Sequence, residues 1–158
     1  MALLIRGKSL CALCGLTIDN GDPVVSFPAF TANQRDPLFH FSDGAFHRRC
    51  IERDDDASEA LHRSTELLNR LGPGSRPCVV CGAQIRDPDD YLALGFLTAD
   101  ESLLAHEFNF VQVHRSHAHE WPELGRARQA LDQLIASGTW EPIKPLSDLE
   151  MLLAGYDW

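Results

Sequence analysis

CALCG at Cys11–Gly15 and CVVCG at Cys78–Gly82 are one phrase written twice. The offset of 67 residues that carries Cys11 and Cys14 onto Cys78 and Cys81 also carries His47 onto His114 and Cys50 onto His117. Both halves therefore read C-x2-C, 32 intervening residues, then a second pair spaced x2. Between these anchors the same offset pairs identical residues at Gly15/Gly82, Ile18/Ile85, Asp22/Asp89, Thr31/Thr98, Ala32/Ala99, Phe41/Phe108 and Arg48/Arg115. A spacer kept to the residue in both halves marks a duplicated module. All five cysteines fall on this frame, and an odd number does not suit a disulfide framework.

The spacing has a chemical reason. Zinc takes four ligands tetrahedrally from thiolate sulfur and imidazole nitrogen, and a C-x2-C turn brings two sulfurs to one ion. A glycine directly after the second cysteine suits such a turn because it adopts positive φ without a Cβ clash. The predicted ligands are Cys11, Cys14, His47 and Cys50 for the first site, and Cys78, Cys81, His114 and His117 for the second. In VHRSHAHEW, His119 competes with His117 for the last place, since an x4 spacing is also used in zinc sites; the repeat favours His117. With four protein ligands each, both predicted zinc ions are structural, because a catalytic ion keeps one position open.

The second pair of each site, spaced i and i+3, fits one face of a helix. Ser42 or Asp43 in the first half and Asn109 in the second are the expected N-caps, which would start each helix just ahead of its histidine. PVVSFPAF (23–30) and DYLALGFL (90–97) read as strands, with Val25, Phe27 and Ala29 on the face occupied by Leu92, Leu94 and Phe96 in the repeat. Second short strands are expected at 38–41 and 104–108. Knuckle, β-hairpin and a helix carrying the last two ligands resembles the treble-clef zinc finger, and AFHRRCI resembles the ending of the first zinc site of a LIM domain. The spacer here is longer than in LIM domains, and no second C-x2-C follows directly to build a fused partner site. The resemblance covers residues 11–50 and 78–117.

A helical segment follows each site. DDDASEALHRSTELLNRLGPG places apolar Leu61, Leu67, Leu68 and Leu71 before the stop at Gly72-Pro73-Gly74, and WPELGRARQALDQLIASG answers with Leu124, Ala127, Leu131, Leu134 and Ile135 before Gly138. The expected class is α+β, organised as a first zinc module with its helix (1–72), a second with its helix (73–139) and a C-terminal tail (140–158) that packs back on the body or docks into a partner. Each half alone has a thin core, for which metal is the expected staple.

The formal charge of −9, from 23 acidic and 14 basic residues, speaks against a protein whose affinity comes from phosphate backbones. Only Lys8 and Lys144 are lysines, an arginine bias that fits a GC-rich bacterial genome. MALLIRGKSL does not read as a secretory signal, and no apolar stretch is long enough to span a bilayer, so a cytoplasmic location is expected. In that reducing compartment paired cysteines serve as metal ligands rather than disulfides. The expected function is a non-enzymatic, zinc-stabilised protein–protein interaction module with a basic partner, such as a bacterial adaptor or immunity protein. One alternative is nucleic-acid binding through Arg48, Arg49, Arg53 and Arg115, although Asp54–Asp56 stand ready to neutralise those arginines. The other is an HNH-like nuclease on a treble-clef frame using His40 or His106, two residues that the repeat leaves out of register.

Overall fold

A computed structural model of the chain describes residues 3–72 and 74–141. It contains four short strands, β1 (Val24–Ser26), β2 (Ala45–His47), β3 (Tyr91–Ala93) and β4 (Gln112–His114), and three α-helices, α1 (Arg48–Ile51), α2 (Ala57–Leu71) and α3 (Leu124–Ala136). The strands form two separate antiparallel pairs, β1 with β2 and β3 with β4. Val24 faces His47 in the first pair and Tyr91 faces His114 in the second, which is the sequence offset expressed as register.

The chain divides into two compact units, Met1–Thr31 with Pro37–Glu66 and Ala32–Asp36 with Leu67–Trp158, the division falling inside α2. In each unit a knuckle closed by an isolated bridge precedes the hairpin, Leu10 with Thr17 and Pro77 with Gln84. The backbone repeats in detail: Gly15 N–H donates to Cys11 O as Gly82 N–H does to Cys78 O, and Phe27 N–H to Gly44 O as Leu94 N–H does to Val111 O. Even the two non-glycine residues at positive φ among the described residues, Asp43 (56°) and Phe110 (62°), are repeat equivalents. Their N–H groups reach back to Pro28 O and Gly95 O, so one strained residue per module turns the chain into the second strand.

The cores keep the same positions and change the side chains. In the first unit Phe27, Phe30, Phe41, Phe46 and Ile18 are almost wholly buried, with the Phe27 ring 5.6–6.1 Å from the other three. The equivalents in the second are Leu94, Leu97, Phe108, Val113 and Ile85; its core also takes in Trp121, Leu131 and Leu134, the last two from α3. There Trp121 meets Phe108 edge-on at 5.9 Å. Burying such residues at about 25 cal/mol per Å² of apolar surface supplies the main driving force in each unit.

Two expectations need correction. Residues 39–41 and 104–108 form 3-10 helices, and the second strands lie further on, ending at the histidines. The helices begin after the histidines, so His47 and His114 are themselves the N-cap residues. Ser42 and Asn109 serve another purpose: Ser42 Oγ accepts the N–H groups of Phe30 and Thr31 and donates to Thr31 O. Asn109 Oδ1 accepts from Leu97 and Thr98, and its Nδ2 donates to Thr98 O. Along α2, Ala57, Ala60, Arg63 and Ser64 are buried and Leu61 and Leu68 exposed.

Of the tail, Trp140 is buried in the core of the second unit, and residues 142–158 lie outside the described residues. That unit includes residues 32–36, which pair with 139–141. Asn33 Nδ2 donates to Thr139 O and its Oδ1 accepts Glu141 N–H, while Gln34 N–H donates to Glu141 O and Arg35 reaches Gly138 O and the Glu141 carboxylate.

Candidate metal centres

Each knuckle exists to aim backbone N–H groups at one sulfur. Cys11 and Cys78 sit at the bottom, buried, while Cys14 and Cys81 reach the same point from the exposed side. Burial pushes the Cys11 thiol up, but hydrogen bonds from the N–H groups of His47, Cys14 and Leu13, with help from the Cys14 side chain, outweigh it and bring it down to about 6. Cys78 is treated alike: burial raises it, and the N–H groups of His114, Cys81 and Val80, together with the His117 ring, hold it at about 6. Each of those N–H donors is the repeat equivalent of its counterpart. Gly15 at φ +69° and Gly82 at φ +73° complete the turns that present them.

The second half of each site comes from the strand-to-helix junction. His47 ends β2 and Cys50 lies on α1, while His114 ends β4 and His117 lies on a 3-10 helix over Arg115–Glu120. An antiparallel hairpin fixes both histidines against β1 and β3, whose sequences therefore position metal donors that they do not contribute. The structure brings together one donor atom from each of Cys11, Cys14, His47 and Cys50, and one from each of Cys78, Cys81, His114 and His117, all mutually within 4.8 Å. His119 is exposed and outside the second cluster.

The distances match metal coordination. Cys14 Sγ lies 3.4 Å from His47 Nδ1, Cys81 Sγ 3.6 Å from His114 Nδ1, and Cys78 Sγ 3.8 Å from His117 Nδ1. Metal–sulfur and metal–nitrogen bonds of about 2.3 and 2.0–2.1 Å at a tetrahedral angle put sulfur and nitrogen about 3.6 Å apart. The electrostatics favour the same conclusion. Burial and the neighbouring Cys14 and Cys11 sulfurs push the Cys50 thiol up to about 11. A divalent ion among them reverses that repulsion. His47 is raised mainly by its bond to Cys14, and His117 by its bond to Cys78. Two clusters able to hold a metal ion each are thus built from eight side chains on a duplicated frame.

Beyond these eight, Thr17 O and Asp22 Oδ2 each lie 3.3 Å from His47 Nε2. The repeat flagged Asp22 only as one of seven identical pairs, with nothing to set it apart. Arg48, Arg49 and Arg53 are exposed and form no ion pair with Asp54–Asp56 among the described residues, contrary to expectation. The Asp54 carboxylate instead accepts Asp56 N–H ahead of α2. Arg115 donates to Asp89 O and Tyr91 O. His40 packs on Phe41 with Nδ1 3.0 Å from Pro37 O, and His106 is half-buried on its 3-10 helix. No helix among the described residues is long and apolar enough to cross a membrane. No family model matches the chain, and neither a curated protein nor a solved structure does.

Proposed function

We propose that the chain is a non-enzymatic interaction module whose two treble-clef units are each stapled by a structural zinc ion. The observation that carries this reading is the count of donors: each cluster supplies four protein atoms within 4.8 Å of one another, enough to fill a tetrahedral shell and leave a bound ion no open position for an activated water. Three thiolates with one imidazole, and two with two, suit zinc over the harder cations that prefer oxygen. The order of knuckle, hairpin and helix supports the treble-clef assignment.

The interaction surface is carried by the first knuckle. Leu10 and Leu16, on its two arms, are 60% and 57% exposed, whereas Pro77 and Ala83 stand at the matching places in the second. Exposed leucines flanking a rigid turn suit a protein partner, and a net charge of −9 favours a basic one through faster, steered association. An adaptor or immunity protein is the biological form of this reading.

The test combines a cleavage assay with partner capture. DNA and RNA should stay intact with the purified protein and added Mg²⁺ or Zn²⁺, and a stoichiometric partner should be lost from Leu10→Asp and Leu16→Asp variants of unchanged zinc content. Metal-dependent cleavage that disappears in His40→Ala or His106→Ala while zinc is retained would establish the nuclease instead. The exposed Arg48 and Arg49 line a cavity of about 250 Å³ with Asp22, Pro23, His47 and Glu52, which keeps nucleic-acid binding as the second reading. Salt-dependent DNA binding abolished by Arg48→Ala with Arg49→Ala would favour it.

A further inference from the structure

The two clusters share a backbone but differ in what lies behind the first histidine. In the first module His47 is buried, its Nδ1 faces Cys14 Sγ, and its Nε2 is held between Thr17 O and Asp22 Oδ2, both at 3.3 Å. The Asp22 carboxylate is itself anchored, since its Oδ2 accepts Asp19 N–H at 2.7 Å. A metal-bound imidazole that gives its other N–H to a carboxylate or carbonyl is fixed in tautomer and orientation and made a stronger donor.

The second module has the same residue type at the equivalent place and does not use it so. Gln84 and Asp89 occupy the positions of Thr17 and Asp22, and among the described residues neither lies within hydrogen-bond distance of His114. Gln84 Oε1 accepts Arg76 N–H, and Asp89 N–H turns to Asp87 Oδ1. The carboxylate nearer the site is Asp90, one residue on, and both its oxygens hold Ser116 at the start of the 3-10 helix. His114 is also half-buried rather than buried.

We infer that Asp22 is a positioning residue for the first metal centre alone: it holds His47 with Nδ1 toward the metal, and it makes the first centre the tighter of two that share one fold. The inference rests on the zinc reading above. It gives the duplicated chain an order of loading and of release, with the second centre the first to give up its ion.

The experiment uses the full chain, loaded with Zn²⁺ for chelator competition and with ¹¹³Cd²⁺ for NMR, where the three-thiolate and two-thiolate sites give separate resonances. In the wild type the second site should empty first. Asp22→Ala should lower the affinity of the first site by about 10- to 100-fold and leave the second unchanged. Asp22→Asn, whose amide oxygen still accepts from Asp19 and His47, should fall between, and Asp89→Ala should match the wild type at both sites. Imidazole ¹⁵N spectra provide the readout that a merely structural role would not move. His47 should show metal-bound Nδ1 with a slowly exchanging Nε2–H, and that proton should exchange faster in Asp22→Ala. A first site that loads normally, with affinity and Nε2–H unchanged in Asp22→Ala, overturns the role of Asp22 while sparing the metal centres. A wild-type chain that takes no ion at the first site overturns both.

Discussion

His47 ends a strand, stands at the N-cap position of a helix and offers a metal donor, three tasks on one residue whose backbone is held at φ −62° and ψ 136°. Gly15 and Gly82 are similarly constrained, though by backbone alone. A Cβ built on either meets nothing within 4 Å, so Gly15→Ala and Gly82→Ala should each cost about 1–2 kcal/mol, the penalty of a left-handed residue with a side chain, in urea unfolding of the metal-loaded protein. Ser42 and Asn109 clamp equivalent turns with different chemistry. Ser42→Ala removes the hydroxyl that accepts from Phe30 and Thr31 N–H and donates to Thr31 O, so it should lose about 1–3 kcal/mol; Asn109→Ser, which imports the first module's solution, should lose less than Asn109→Ala.

At the scale of elements, sequence spacing located both knuckles and the two helices that follow the sites, because cysteine spacing and helical stops are local signals. The hairpin partners were not legible. FHF and LAHEF carry strand-like residues yet curl into 3-10 turns, while the actual strands, AFH and QVH, are three residues long and too short to show alternation. On α2 the buried side carries Ala57 and Ala60 while Leu61 and Leu68 face water, so the leucines alone do not mark its buried face. Leu61→Gln and Leu68→Gln should therefore change stability by less than about 0.5 kcal/mol, whereas Ala60→Asp, at a site with no exposure, should cost about 3 kcal/mol or more. The pairing of 32–36 with 139–141 had no sequence signal, since it joins residues more than 100 apart, with the Asn33 side-chain amide bonded to the backbone of Thr139 and Glu141. Asn33→Ala removes the hub of that pairing and should cost about 2–3 kcal/mol, read as a lowered midpoint in thermal unfolding.

Across the whole molecule the duplication runs deeper than the residues that announced it. Register, isolated bridges, the positive-φ pair Asp43 and Phe110 and the N–H groups around each buried cysteine repeat at the same offset, while the core beneath keeps Phe41 as Phe108 and replaces Phe27, Phe30 and Phe46 by Leu94, Leu97 and Val113. What the two halves retain in common is the geometry around four donor atoms, and that is the reason to regard metal binding as the purpose of the frame. Removing the ions should then unfold the chain, because binding energy for such sites is folding energy. Excess chelator should abolish the thermal transition, and returned Zn²⁺ should restore it. The most direct measurement is metal content per chain, by elemental analysis of protein purified without added metal. Two zinc ions per chain, falling to one in Cys14→Ser and to one in Cys81→Ser, is the expected result; a wild-type ratio near zero, with cooperative folding intact, would contradict it.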